Sequence, residues 1–281
     1  MDRHEHLEDV ERWRARRLGA LTKPDGWLSL VGLHWLHEGT NSVGSDPTCD
    51  VLLPEPVPAH AGVIEVQGQQ AMARFDPRAG LTHDGRPAIT LPLDHDQGVD
   101  SVRPSVIERG TMSFHLILRE GQLAVRVRDA ASEARTGFRN IDHYPVDLRW
   151  RVAGRFEPYE PPKEVVFPTV LGTQQTYRIL GSVSFELESQ QFSLEALQEP
   201  GARDYFLPFA DSTNRDETYG GGRYLYARPP ANDATMTVDF NRAYNPPCAF
   251  TAYATCILAP PQNRLEVRVE AGEKRYEAGK G

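Results

Sequence analysis

Apolar residues recur at helical spacing near the start of the chain. Residues 5–21 place five of them where one face of a helix would lie: Leu7, Val10, Trp13, Leu18 and Leu21. No proline or glycine interrupts this stretch before Gly19. The pattern predicts an amphipathic helix that packs across the body of the protein, with partner binding by this helix as the alternative.

From residue 27 onward, the pattern changes to short apolar or alternating runs separated by turn residues, which is typical of β-strands. In the first half, the predicted strands are residues 51–53, 62–66, 71–75, 113–118 and 123–127. In the second half, they are residues 176–180, 181–187, 223–227, 235–240 and 265–269. Because these strands do not alternate with helices, the pattern predicts a mainly β protein and excludes a nucleotide-binding α/β fold.

The order of the elements predicts three parts. Residues 1–26 contain the N-terminal helix, residues 27–144 form a β-sandwich, and residues 145–281 form a second antiparallel, barrel-like β module. Prolines interrupt residues 156–168, where the sequence reads FEPYEPPKEVVFP. Because proline cannot donate to a strand ladder, we expect this stretch to be a linker or an edge crossing between the modules.

The charge balance narrows the range of partners. The 281 residues include 31 Lys and Arg against 39 Asp and Glu, which gives a net charge of −8. Binding to nucleic acid or to an anionic membrane surface depends on clustered cationic groups, so we expect neither partner. The oligomeric state is not specified by these features.

Cysteine usage and hydropathy favour the cytoplasm. Cys49, Cys248 and Cys256 are an odd and sparse set, which is typical of a reducing compartment. No apolar run reaches the roughly 18 residues of a membrane-spanning helix. The charged N-terminal segment also lacks the apolar core of a signal peptide. We therefore expect a cytoplasmic protein.

Several segments of the first half resemble a forkhead-associated (FHA) domain: residues 39–44, 49–53, 60–64 and 84–85. The resemblance implies an FHA-like β-sandwich. It departs from the family at the phosphate site, where Ser45 replaces an arginine, Val57 or Pro58 replaces a serine, and Asp84 replaces an asparagine. Because phosphate needs cationic or multiple hydrogen-bond donors, we expect no phosphothreonine recognition.

The second half carries an unusual string, NPPCAF…C…PPxN, over residues 245–263. Together with GWLSLVGLHWL at residues 26–36, it resembles an uncharacterised bacterial family that is known only as a domain of unknown function. Ile257 departs from that family, which has a proline after the second cysteine. The resemblance implies kinship and no activity.

Polar residues cluster before and along one predicted strand. Alternation over residues 235–241 places Thr237, Asp239 and Asn241 on one face of the strand. The loop at residues 211–223 is rich in charged and hydroxyl side chains, and its glycines at 220–222 allow close approach of the backbone. We predict a ligand-binding site made of Asp211, Thr213, Glu217, Tyr219, Arg223, Asp239 and Asn241. The alternatives are a solvated strand face and a hairpin turn in which Arg223 pairs with Glu217 or Asp239.

Histidine and cysteine placement limits the chemistry. All nine histidines lie at or before His143, so residues 144–281 cannot supply a Ser-His-Asp or Cys-His site on their own. A continuous strand would separate Cys248 from Cys256 by about 26 Å. A shared zinc ion or a disulfide would require a tight reversal, so we predict two buried free thiols, with Cys248 as a nucleophile as the alternative. No metal site is predicted and no cofactor is specified.

Three functions are compatible with these features of the sequence. The leading hypothesis is the binding of a small polar ligand in the C-terminal module. The enzyme alternative is a carboxylate-dependent hydrolase, with Glu217 and Asp239 as candidate acid and base. In one form of this hypothesis, Mg²⁺ or Ca²⁺ assists the reaction. The third hypothesis is a protein-interaction scaffold that acts through the FHA-like module.

Overall fold

The computed structural model describes residues 2–97, 103–199 and 201–277. The chain is mainly β, as the sequence predicts, and begins with one long helix, α1 (Arg3–Thr22). It divides into a central unit, residues 22–137, and a terminal unit, residues 1–21 together with residues 138–281. The predicted boundaries lie after residues 26 and 144, whereas this division lies after residues 21 and 137 and places most of α1 with the C-terminal residues.

Strand pairing in the central unit builds two sheets. Its strands are β1 (Leu30–Trp35), β2 (Gly39–Gly44), β3 (Val51–Leu52), β4 (Gly62–Gln67), β5 (Gln70–Phe75), β6 (Thr82–His83), β7 (Arg86–Pro87), β8 (Thr90–Pro92), β9 (Ile107–Arg109), β10 (Met112–Arg119) and β11 (Gln122–Asp129), followed by a short helix, α2 (Glu133–Thr136). One sheet has the order β1-β11-β10-β9-β6-β7, and the other has the order β3-β2-β4-β5-β8.

One hydrophobic core serves both sheets of the central unit. Val43 and Ile64 from one sheet and Phe114 and Val125 from the other belong to the same buried cluster. The rings of Phe75 and Phe114 pack edge to face, with their centres 6.0 Å apart. Two sheets around one core agree with the predicted sandwich, and the more specific FHA resemblance stays a prediction.

The terminal unit contains α1 and a second set of strands. These are β12 (Arg151–Pro168), β13 (Gln174–Leu187), β14 (Gln190–Gln198), β15 (Tyr205–Phe206), β16 (Ala210–Asp211), β17 (Tyr226–Ala227), β18 (Thr235–Asp239) and β19 (Arg264–Leu265). Six of them form an open sheet with the order β17-β15-β14-β13-β12-β18, and β16 pairs with β19. The predicted barrel-like closure is therefore wrong, because among the described residues no strand pairing joins the two edges.

The proline-rich stretch lies within the longest strand, so the predicted linker is wrong. β12 runs from residue 151 to residue 168 and pairs with β13 along most of that length. Its other neighbour, β18, pairs only with residues 151–155, so the prolines follow the point where that ladder ends. The register with β13 also shifts between Pro158 and Lys163. Proline is tolerated where a strand has a free edge or an irregular register.

The helix α1 forms as predicted, but it buries only part of the predicted apolar face. His6, Val10 and Leu21 are buried, whereas Leu7 and Leu18 are 42% and 36% exposed. The buried face contains polar residues because the surface that receives it is itself partly charged, as described below. No helix among the described residues is long and apolar enough to cross a membrane.

A glycine at the register shift is required by a close approach of two strands. A Cβ atom added to Gly181 of β13 would lie 2.3 Å from the carbonyl oxygen of Glu157 and 2.8 Å from Cα of Pro158. We expect Gly181→Ala to lower the free energy of unfolding by roughly 1–3 kcal/mol, because the backbone of β12 must move. Urea titration followed by tryptophan fluorescence measures this loss.

Gly19→Ala is the matched control. Nothing lies within 4 Å of a Cβ atom added to Gly19, which is in α1. This variant should be neutral or gain up to about 1 kcal/mol, since alanine favours a helix over glycine. Equal changes in the two variants would contradict the close packing of β12 on β13.

Candidate functional site

Arg223 and Asp211 form a buried ion pair in the terminal unit. Nη2 of Arg223 lies 2.9 Å from Oδ1 of Asp211, and both side chains are fully buried. The guanidinium also donates to the carbonyl oxygens of Val269, at 2.8 Å, and Ala271. Burial of an unpaired charge is costly, so these partners are what make the position of Arg223 stable. Arg223 therefore joins three segments of the chain, and the alternative pairing with Glu217 or Asp239 is wrong.

Asp211 uses its second carboxylate oxygen to fix the turn that follows it. Oδ2 accepts hydrogen bonds from the hydroxyl of Thr213 at 2.8 Å, from the backbone N–H of Thr213 at 3.1 Å, and from the N–H of Val269 at 2.8 Å. These bonds cap the short 3-10 helix Ser212–Arg215. The predicted site residues Asp211, Thr213 and Arg223 are thus brought together, but each is engaged with the protein itself.

Glu217 belongs to a half-exposed charge cluster elsewhere in the unit. Its two carboxylate oxygens lie 2.7 Å from Nη2 of Arg268 and 3.0 Å from Nζ of Lys274. The hydrogen bond from Lys274 is the main cause that lowers the pKa of Glu217 below its ordinary value. Glu217 lines a cavity of about 530 Å³ together with Asp216 and Lys274.

Asp239 and Asn241 meet a residue of α1. Oδ2 of Asp239 lies 3.7 Å from Nε2 of His6, and the amide of Asn241 donates to Oδ1 of Asp239 at 2.9 Å. The same amide donates to the carbonyl of Asp147 at 2.9 Å. Asn241 lies in the 3-10 helix Phe240–Arg242 and is fully buried, so the predicted alternation ends with β18.

The predicted site residues therefore do not line one common cavity. Tyr219, the last of them, donates its hydroxyl hydrogen to the carbonyl oxygen of Cys248 at 3.4 Å. Glu217 and Asp239 line two different cavities. They do not form the facing acid–base pair that the hydrolase hypothesis requires. Among the described residues, no group of three or more His, Cys, Asp or Glu side chains is arranged to hold a metal ion.

Asp239 instead lines a cavity of about 610 Å³ that α1 and the six-stranded sheet form within the terminal unit. The cavity carries four arginines: Arg16, Arg151, Arg228 and Arg242. It also carries three aromatic residues: Trp13, Tyr226 and Tyr244. Sequence reasoning missed these seven residues, because they come from α1, β12, β17 and the loops that follow β17 and β18. Their proximity is a product of the fold.

The charges of this cavity are only partly compensated. Arg242 pairs with Asp9 and lies 3.6 Å from the carboxylate of Asp239. Within residues 2–97, 103–199 and 201–277, the other three arginines form no ion pair with a carboxylate, and Asp204 is the one lining acid without a cationic partner. The cavity therefore has an excess of positive charge in a protein whose net charge is negative.

The aromatic side of the cavity is ordered by ring contacts. Tyr226 and Tyr244 are stacked, with ring centres 6.2 Å apart and an angle of 16° between the rings. Trp13 approaches Tyr244 at 6.2 Å. The guanidinium of Arg17 lies 4.4 Å from the centre of the Tyr244 ring, on which it stacks as a cation. The Tyr226 hydroxyl donates to Glu199. These contacts fix an apolar wall beside the arginines.

The fold and this cavity define a mainly β protein with a cationic, aromatic-lined site, and comparison with known proteins adds a family without an activity. Residues 136–274 match a family described as a protein of unknown function, DUF1684. This part of the chain belongs to an uncharacterised family, which confirms the predicted kinship at that level. The chain is also similar to an uncharacterized protein from Haloarcula marismortui, known from a solution NMR structure. The two are 32% identical, the match covers 50% of this chain and 78% of that chain, and the TM-score is 0.43. No curated protein matches.

The buried ion pair should matter for stability. We expect Arg223→Met to lower the free energy of unfolding by about 3–5 kcal/mol, because it leaves the buried carboxylate of Asp211 without its cation. Chemical denaturation monitored by circular dichroism measures the change.

Arg275→Met is the control for this prediction, because Arg275 pairs with Glu277 on the exposed surface of the same unit. Its effect should stay below about 1 kcal/mol. A similar small effect for Arg223→Met would show that the buried pair is not required for the fold.

Proposed function

We propose that the terminal unit binds a small organic anion that has a planar apolar part. The observation that carries the proposal is the cavity that combines three arginines without carboxylate partners and a wall of three aromatic rings. The proposal keeps the predicted small polar ligand and moves its site from the loop at residues 211–223 to the surface between α1, β12 and β17.

The arginines support an anionic ligand. A guanidinium offers a planar fork of donors that matches carboxylate, sulfonate or phosphate oxygens. Arg151 is half-buried beside Asp239 across the β12–β18 ladder, whereas Arg16 and Arg228 are exposed at the rim. All three guanidiniums line the same cavity, which supports an anionic group as part of its ligand.

The aromatic wall supports a planar part in the ligand. Tyr226 is 36% exposed and Trp13 is half-buried, so part of each ring is accessible to a ligand. Flat apolar groups pack well on such faces, and aromatic pairs gain from offset contact. A volume of about 610 Å³ lies within the range of about 300–1,000 Å³ that is usual for small-molecule sites.

Two of the three carboxylates that line the cavity, Asp9 and Asp239, support its wall and are not assigned to hydrolysis. Asp9 and Asp239 both contact Arg242, and Asp239 also lies beside His6, so their charges stabilise the wall of the site. A general base must instead reach the reacting group of the substrate. We therefore assign these two side chains to positioning Arg242.

Binding can be tested with matched probes. Adenosine monophosphate and naphthalene sulfonate are planar anions, adenosine and naphthol are their neutral analogues, and inorganic phosphate has no ring. We expect the planar anions to raise the melting temperature of the protein more than the other three compounds, because only they contact both the arginines and the aromatic wall. Differential scanning fluorimetry and then isothermal titration calorimetry measure the effect.

The variants Arg151→Met and Arg228→Met should each weaken binding of a planar anion by roughly tenfold or more, since a hydrogen bond to a charged group contributes about 1.5–3 kcal/mol. Arg275→Met removes the same charge outside the cavity and should leave the affinity unchanged. The proposal fails if no planar anion binds, if the neutral analogues bind equally well, or if all three variants behave alike.

A further inference from the structure

Cys248 and Cys256 lie side by side, although eight residues separate them in the sequence. A 3-10 helix, Pro247–Ala249, begins a tight reversal of the chain. As a result, the backbone N–H of Cys248 donates to Sγ of Cys256 at 3.2 Å. The tight reversal that joint chemistry of the two thiols requires is therefore present. The separation of about 26 Å that a continuous strand would impose does not apply.

The two thiols differ in access. Cys256 is 6% exposed, whereas Cys248 is half-buried and has the larger opening to solvent. The hydrogen bond between the thiols lowers the pKa of Cys248 below its ordinary value, and the same contact raises the pKa of Cys256. The hydroxyl of Tyr219 donates to the backbone carbonyl oxygen of Cys248 at 3.4 Å, and Tyr219 is a smaller cause that lowers the pKa of the Cys248 thiol. The Cys248 thiol is thus placed to react first, and the Cys256 thiol is placed to react with the oxidised Cys248.

We propose that Cys248 and Cys256 form a peroxide-reactive dithiol that closes to an intramolecular disulfide. This site is separate from the proposed anion cavity and does not depend on it. Tyr219, which the sequence analysis assigned to a ligand site, acts here as a positioning residue for Cys248.

The reaction balances with hydrogen peroxide as the oxidant. The thiolate of Cys248 attacks one peroxide oxygen, the O–O bond breaks, and a sulfenic acid forms while the other oxygen leaves as water after taking a proton. Sγ of Cys256 then attacks Sγ of Cys248, forms the S–S bond and displaces the hydroxyl as a second water. Two thiols lose two electrons and two protons, and one peroxide is reduced to two waters.

The third cysteine provides an internal control. Cys49 lies in the central unit, where burial is the main cause that raises the pKa of its thiol. Its thiol donates to the carbonyl oxygen of Ala59 at 3.4 Å, and its Sγ lies 3.8 Å from Nδ1 of His60. Cys49 can therefore report general oxidation of the protein without taking part in the proposed disulfide.

The test uses the reduced full-length protein and hydrogen peroxide. After alkylation of free thiols and proteolysis without reductant, mass spectrometry should find one linked peptide pair that contains Cys248 and Cys256, lighter by two hydrogens than the reduced pair. Dithiothreitol should reverse the change. The proposal is overturned if both cysteines stay alkylated under conditions that oxidise Cys49, or if the linkage joins different cysteines.

Two variants separate the roles of the thiols. Cys256→Ser should accumulate a sulfenic acid at Cys248, which dimedone traps, whereas Cys248→Ser should show no trapping at Cys256. In the protein that keeps both cysteines, Tyr219→Phe should shift the pH profile of Cys248 alkylation toward higher pH, while Tyr159→Phe should not. The disulfide is measured first in the wild-type protein. The test therefore stays decisive even if a variant fails to fold.

Discussion

The buried carboxylate of Glu273 holds the terminal unit together around α1. Its side chain is fully buried, and burial raises its pKa above the ordinary value for glutamate. It is satisfied by Nε of Arg17 at 3.2 Å and by the backbone N–H and side-chain amide of Asn245 at 2.7 and 3.1 Å. Arg17 also donates to the carbonyl of Asn245 at 2.8 Å and stacks on Tyr244. A charge so placed is stable only while these partners remain, so it fixes the helix to the segments that follow β18 and β19.

The proposed anion cavity depends on this anchor. Trp13 and Arg16 reach the cavity only because α1 lies against the sheet, and Arg17 on the same helix determines that placement through Glu273. A second contact, between Asp9 of α1 and Arg242, lies directly at the cavity wall. The helix therefore supplies one side of the site, and its buried face combines the apolar Val10 and Leu21 with polar residues that meet carboxylates and a tyrosine. Leu7 and Leu18, which a purely apolar rule would bury, lie outside this face and are exposed.

Local pattern predicts much of this fold because it reports on one element at a time. The short, mostly apolar run of residues 71–75 between turn residues marks β5, and the periodic apolar residues of residues 5–21 mark α1. Patterns cannot report which elements become neighbours. The prolines of β12 therefore indicated a linker, since nothing in the sequence shows where β18 stops pairing. In the same way, a cluster of polar residues in a loop predicted a site at Arg223, whereas burial turned that cluster into a structural network.

The cavity arginines were beyond local reasoning for a related physical reason. Arg16 and Arg151 are far apart in the sequence, and each alone is typical of a solvated surface. Only the segment from Tyr244 to Cys256 carried a usable signal, because its unusual residues are close together. In the structure, this segment provides a ring of the cavity through Tyr244, the partner of Glu273 through Asn245, and the first thiol of the pair through Cys248. The prolines at 246 and 247 fix the backbone between these groups. The unusual composition of the segment from Tyr244 to Cys256 is therefore explained by the contacts that its few rigid residues make. These residues need not form one active centre.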